Sequence, residues 1–207
     1  MKRILCYGDS NTWGLVPGSN PHKRYPQDIR WTGILQKENS EFEIIEEGLC
    51  GRTTVFEDAL RPGRNGHAFL PVLLESHAPL DAVVLMLGTN DCKTVYGAGE
   101  YTIGKGIELC LEETEKFVPA NRILLISPIF LGDDVWKPEK DPEFDKRSVE
   151  ISRKLKEIYA EIAKKRGNAF LAASDLADAD DADCEHMDEK GHAVFAGAVA
   201  DALKRMV

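Results

Sequence analysis

Several things this sequence lacks each exclude a class of protein. The five cysteines, Cys6, Cys50, Cys92, Cys110 and Cys184, include no Cys-x-x-Cys pair, so neither structural zinc nor a disulfide framework has its usual spacing. An odd, scattered set of thiols fits a reducing, cytoplasmic setting. No apolar run approaches the roughly 20 residues that cross a bilayer. The run after Lys2 and Arg3 stops at Gly8, too early for the apolar core of a secretory leader, and reads as a strand. Basic residues are in the minority: 26 Lys and Arg against 35 Asp and Glu leave a net charge of −9. No basic stripe offers itself to a phosphate backbone. The glycine signatures of dinucleotide and triphosphate binding are also missing. No repeat, low-complexity segment or linker divides the 207 residues, so one domain over 1–207 is expected. The expected partner is a small molecule, with no nucleic acid, no membrane, no metal and no cofactor.

What is present is an alternation. Residues 3–7, 42–46, 82–87, 122–127 and 169–172 are apolar and β-branched enough to read as strands, the third and fourth almost without a polar break. Helical spacing occupies 31–39, 67–76, 104–117 and 145–165, and a closing helix fits 188–206. In 145–165, Val149, Ile151, Leu155, Ile158, Tyr159 and Ile162 line one face, with Lys and Glu opposite. Strand–helix alternation predicts an α/β fold: three layers, α/β/α, around a parallel sheet of about five strands. Two long segments, 14–30 and 128–142, are rich in Pro, Gly and charge. They read as functional loops or as plain surface excursions.

Ligands of open α/β sheets bind at the carboxyl ends of the strands, and four polar clusters fall there. They are Gly8-Asp9-Ser10, the stretch from Gly48 to Thr54, Gly88-Thr89-Asn90-Asp91, and Asp183-Cys184-Glu185-His186. Each has a plain reading: an ordinary turn, a glycine bend, a pair of caps, and a solvated loop in which 175–185 holds six acidic residues. Together they supply the parts of one machine. Ser10 is a nucleophile that needs a base. His186 is the best base of the five histidines, because Asp183, three residues earlier, can hold its ring. The Ser10 and Gly51 N–H groups and the Asn90 amide can receive a developing oxyanion.

GDS near the start, a glycine-bearing second block, GTND and a late DxxH resemble the four blocks of the SGNH (GDSL-type) hydrolases. The resemblance implies a flavodoxin-like fold and cofactor-free ester chemistry. It places Ser10, Gly51, Asn90 and His186 in the family's named roles, with Asp183 as the triad acid. The runs KRILCYGDSNTWG, RWTGIL, FEIIEEGLCGRTT and VLMLGTNDCK further resemble the bacterial arylesterase and acyltransferase subgroup. That likeness implies small acyl esters, acyl transfer to alcohols and a homo-oligomer. Two departures bear on the substrate pocket. Asn11 stands where the family usually has Leu, making that wall more polar, and Arg52 follows the oxyanion glycine, where it can order the loop or meet a charged leaving group. Trp13 and Leu15 are further pocket candidates, although core packing explains them equally well.

Asp9 and Asp91 read as turn-shaping residues. His22, His67 and His77 carry no partner spacing, and His192 reads as packing or surface. Cys50, Cys92 and Cys184 read as small hydrophobes beside the motifs. The alternative is a non-hydrolytic domain that cradles a phosphorylated small molecule on the GDSNT turn; a degenerate family member serving as an interaction module is a third.

Overall fold

A computed structural model describes all residues from Met1 to Val207. Five parallel strands, β1 (Lys2–Gly8), β2 (Phe42–Gly48), β3 (Ala82–Met86), β4 (Ile123–Ser127) and β5 (Ala169–Ala172), form one sheet in the order β2-β1-β3-β4-β5. This flavodoxin-like order reverses direction between β1 and β3, and ligand crevices form at such reversals. Gly8 of β1 pairs with Gly48 of β2 on one side and Met86 of β3 on the other. Three of the four polar clusters therefore leave the sheet side by side.

Successive side chains of a strand face opposite ways, and the two faces build two apolar clusters. Leu5, Tyr7, Val83 and Leu85 pack with Leu70 and Leu74 of α3 (Gly66–His77), Ile103 and Ile107 of α4 (Glu100–Thr114), and Leu155 and Tyr159 of α5 (Lys146–Arg166). Ile4, Cys6, Val84 and Met86 pack with Trp31 and Leu35 of α2 (Trp31–Glu38) and Phe195 and Val199 of α6 (Glu189–Met206). Trp31 meets Phe195 edge to face at 5.2 Å. Each fully buried aliphatic side chain stabilises such a layer by about 1.5–3 kcal/mol. No helix is long and apolar enough to cross a membrane.

Local rules set the helix ends. Asp145 accepts from the Ser148 N–H while Ser148 Oγ accepts from the Asp145 N–H, and Gly167 closes α5 in the left-handed region at φ 79°. Helix α4 begins a turn before the expected 104 and ends before 117. Its first turn has half-buried Glu100 and exposed Tyr101, which an apolar pattern misses. At its other end Thr114 Oγ1 folds back to donate to the Cys110 carbonyl at 2.8 Å, and 115–118 become turns. A short helix absent from the sequence reading, α1 (Ser10–Trp13), follows β1 directly, capped by Asp9.

Candidate active site

The turn from β1 into α1 requires a glycine, because a Cβ on Gly8 would lie 2.1 Å from Thr12 Oγ1 and 2.8 Å from the Met86 carbonyl oxygen. That tight turn puts Ser10 at the head of α1, over the sheet edge. Ser10 Oγ lies 2.8 Å from His186 Nε2, and His186 Nδ1 lies 2.8 Å from Asp183 Oδ2. Asp183 accepts three backbone N–H groups as well: Glu185 at 2.9 Å, His186 at 3.0 Å and Gly18 at 2.8 Å. A carboxylate so bound is an acceptor only, so Nδ1 carries the proton and donates. Nε2 then has its lone pair toward the Ser10 hydroxyl. Burial works against the Asp183 charge, but the His186 ring and these N–H groups outweigh it and hold the carboxyl below its usual range.

The long loops support this corner. Segment 14–30 supplies the Gly18 N–H, and segment 128–142 supplies the Gly132 N–H to the Cys184 carbonyl at 2.8 Å. Lys140 Nζ donates to the carbonyls of Asp181 and Ala182. Cys184 itself sits at φ 62°, a left-handed conformation uncommon for a side-chain-bearing residue.

Gly51 turns in the left-handed region at φ 83°. The next N–H, of Arg52, bonds back to the Leu49 carbonyl at 3.0 Å, while the Gly51 N–H donates to no acceptor in the chain. Asn90 is buried beside it after β3, and its amide Nδ2 donates to the Arg52 carbonyl at 3.1 Å. A side-chain amide carries two N–H bonds, so one remains for another acceptor. Asp91 ties the same two loops together, accepting the Thr54 N–H at 3.0 Å and the Thr54 hydroxyl. Asp9 Oδ1 accepts the Asn11 N–H at 3.0 Å. Burial raises the Asp9 carboxyl to about 7, against the lowering effects of the Asn11 N–H and His186.

Among the pocket candidates, Leu15 alone lines the cavity beside His186, a space of about 370 Å³ bordered also by Gly18, His22, Lys140 and Glu185. Asn11 is a correction. Its Nδ2 donates to the Glu185 carbonyl at 3.2 Å and its Oδ1 accepts the Met187 N–H at 3.0 Å. Both polar ends clamp α1 to the histidine loop, and Asn11 does not border the cavity beside His186. Arg52 fits the loop-ordering role of the two read from the sequence and is corrected only as a pocket candidate. Its guanidinium is buried, donates Nη1 to the Gly8 and Glu47 carbonyls, and lies 4.0 Å from the Tyr7 ring centroid. It orders the ends of β1 and β2. Trp13 stands half-buried under the Arg24 guanidinium, 5.3 Å from its ring centroid, and its carbonyl accepts from Arg24 Nε at 2.6 Å.

His77, expected to lack a partner, bonds Glu47 at 2.9 Å. His192 is fully buried, with Nδ1 accepting the Trp31 N–H at 3.3 Å. All five thiols are free. Cys92 and Cys184 pack in the first apolar cluster, whereas Cys50 is half-buried and offers its carbonyl to Arg61 and Arg64. No three His, Cys, Asp or Glu side chains are arranged to hold a metal, and both His186 nitrogens are engaged by Ser10 and Asp183.

The sequence reading missed Glu185. The acidic run around it suggested a solvated loop, yet Glu185 is only 6% exposed and its Oε1 lies 3.8 Å from His186 Nε2. Adjacency to the histidine was the one signal available, and it says nothing of burial.

Comparison with known proteins places this geometry among relatives. The family model described as GDSL-like Lipase/Acylhydrolase matches residues 6–194. An aryl esterase from M. smegmatis is 33% identical with a TM-score of 0.89, and a carbohydrate acetylesterase from Sinorhizobium meliloti is 33% identical with a TM-score of 0.91. In both, 100% of this chain and 100% of the other are covered. A search of curated proteins found no match. These relatives do not favour the phosphate-cradle reading of GDSNT, and the local structure gives the reason. The Asp9 carboxylate already occupies the Asn11 N–H that a phosphate would need.

Proposed function

Because the chain belongs to the GDSL-like lipase/acylhydrolase family and is a carboxylic ester hydrolase, we propose that Ser10, His186 and Asp183 are its triad. One observation carries the reading: a serine hydroxyl 2.8 Å from an imidazole whose other nitrogen lies 2.8 Å from a buried carboxylate. Ser10 Oγ attacks the ester carbonyl as His186 Nε2 takes its proton. The carbonyl oxygen, now negative, is received by the N–H groups of Ser10 and Gly51 and the Asn90 amide. His186 returns the proton to the departing alcohol oxygen, leaving an acyl group on Ser10. Water attacks that acyl group in the second half, again through His186. An alcohol in place of water gives acyl transfer.

Small acyl groups, acetyl first, are the proposed substrates. The relatives support this choice, one being an aryl esterase and the other a carbohydrate acetylesterase. Five free thiols support a reducing, cytoplasmic location. Association of subunits is supported by exposed Leu60, Phe69 and Val72, apolar surface that another copy would cover.

The test is turnover of p-nitrophenyl acetate by wild type and Ser10→Ala, with and without a serine-directed phosphonate. Release abolished by both the substitution and the phosphonate, with the label on Ser10, is expected. Equal release from Ser10→Ala defeats the assignment.

A further inference from the structure

The Glu185 carboxyl is buried beside the reacting groups and has no hydrogen-bond donor in the chain. Its backbone is held at both ends, the N–H by Asp183 Oδ1 at 2.9 Å and the carbonyl by Asn11 Nδ2 at 3.2 Å. It borders the cavity shared with Leu15 and His186. Burial raises this carboxyl, and the charges of His186 and Lys93 oppose that from a distance, with no hydrogen bond to either.

Asn20 and His22 border the same cavity without a bond to Glu185, and the other donors nearby have partners elsewhere. Ser10 serves His186. Lys93 Nζ is held by Glu143 Oε2 at 2.5 Å, with the Phe144 ring centroid 5.6 Å away. Lys140 binds the Asp181 and Ala182 carbonyls, and the Ser19 hydroxyl donates to the Val16 carbonyl at 2.7 Å. Glu139, Asp141 and Asp183, which border the same cavity, add carboxylates. No group of the chain is hydrogen-bonded to the Glu185 carboxyl, which borders the cavity, so its oxygens are acceptors for what enters.

Geometry says which part of the substrate brings a donor. Proton return to the leaving group brings the alcohol oxygen within about 3 Å of His186 Nε2. Glu185 Oε1 is 3.8 Å from that nitrogen. A hydroxyl on the carbon next to the ester-bearing carbon falls between these positions. In the Ser10–His186 reading the ester carbonyl oxygen goes to Gly51 and Asn90.

We propose that Glu185 selects the alcohol half of the ester, accepting a hydrogen bond from a hydroxyl beside the ester oxygen, so that monoacyl esters of diols and polyols are preferred. The inference rests on the Ser10–His186 reading above. It assigns Glu185 to substrate recognition and leaves the triad unchanged. The same contact favours a polyol over a simple alcohol as acyl acceptor.

The experiment compares kcat/KM for 2-hydroxyethyl acetate, 2-methoxyethyl acetate, propyl acetate and acetylcholine, in wild type, Glu185→Gln and Glu185→Leu. Wild type is expected to favour the hydroxyethyl ester over the methoxyethyl and propyl esters by about 10- to 100-fold, since a site built to bind a hydroxyl discriminates against its absence. Glu185→Leu brings the ratio near one, and Glu185→Gln, which keeps an acceptor oxygen, retains part of it. A merely structural role would lower all four substrates together and leave the ratios intact. A wild-type ratio near one, or a ratio that survives Glu185→Leu, overturns the inference while the esterase reading stands. Preference for acetylcholine over the hydroxyethyl ester overturns it too, because that ester brings charge without a donor. Failure to hydrolyse any of the four, or p-nitrophenyl acetate, overturns both readings. If Glu185→Leu does not fold, the wild-type ratio and Glu185→Gln decide.

Discussion

Asn90 Nδ2 donates to the Arg52 carbonyl oxygen at 3.1 Å, which fastens the end of β3 to the loop that carries Gly51. One amide thereby holds the glycine loop in place and keeps a second N–H for an oxyanion. The proposed donors move as one unit, and preorganisation of this kind is what makes such donors effective.

Asn90→Ala removes a donor and the tether at once. Loss of one oxyanion donor costs about 100- to 1,000-fold in kcat, and that is the expected loss on p-nitrophenyl acetate. A variant that keeps kcat but melts at a lower temperature would restrict Asn90 to the tether.

Asp183→Asn keeps the shape of the triad but puts an amide where the carboxylate was. With a donor able to face Nδ1, the ring no longer has a reason to keep its proton there. A fall in kcat of about 10⁴-fold is expected, as for the corresponding exchange in the serine-protease template. Steady-state kinetics check it, and a loss under tenfold contradicts the orienting role.

The pH profile tests the electrostatics around His186. Burial by itself would lower this imidazole, but the Glu185, Asp183 and Asp9 carboxylates outweigh it and push the ring up to about 9. A base must be neutral, so activity rises with pH as the ring loses its proton. The acid limb of kcat/KM is expected above the ordinary 6.5. Glu185→Gln removes one of those carboxylates and shifts the limb down. A limb that stays in place in Glu185→Gln shows that the Glu185 charge does not reach the ring.

His192 gives a stability signature of opposite sign. Burial, helped by the charge of His186, lowers it to about 4 from an ordinary 6.5. Its folded form is neutral, so its contribution is complete above 6.5 and is lost as pH falls toward 4, a change on the order of 3 kcal/mol. The His186 contribution, with a raised folded value, is complete below 6.5 and lost as pH rises toward 9. Denaturant unfolding of wild type and His192→Gln between pH 4 and 7 isolates the first. The difference between the two proteins should shrink with acid, and a constant difference would refute it.

Much of this architecture was legible beforehand. The apolar run of β3 and β4 reflects burial on both faces, and the spacing from Val149 to Ile162 shows where α5 meets the core. The four polar clusters were legible for the same reason. In a parallel sheet every strand delivers its carboxyl end to one edge, so Ser10, Gly51 and Asn90 share a neighbourhood by topology, and loop contacts beyond β5 bring His186 to them.

The sequence by itself determined the elements, their parallel arrangement and the chemical kinds of residue at the sheet edge, because propensity, periodicity and strand direction are local properties. Only the tertiary structure decided what each polar side chain faces. Asn11 reaches a carbonyl 174 residues away, Arg52 turns inward to Gly8 and Glu47, and Glu185 is buried within an acidic run. A polar group can face water, backbone or substrate with the same local sequence around it. The choice depends on partners brought from distant segments by the packing of the whole chain.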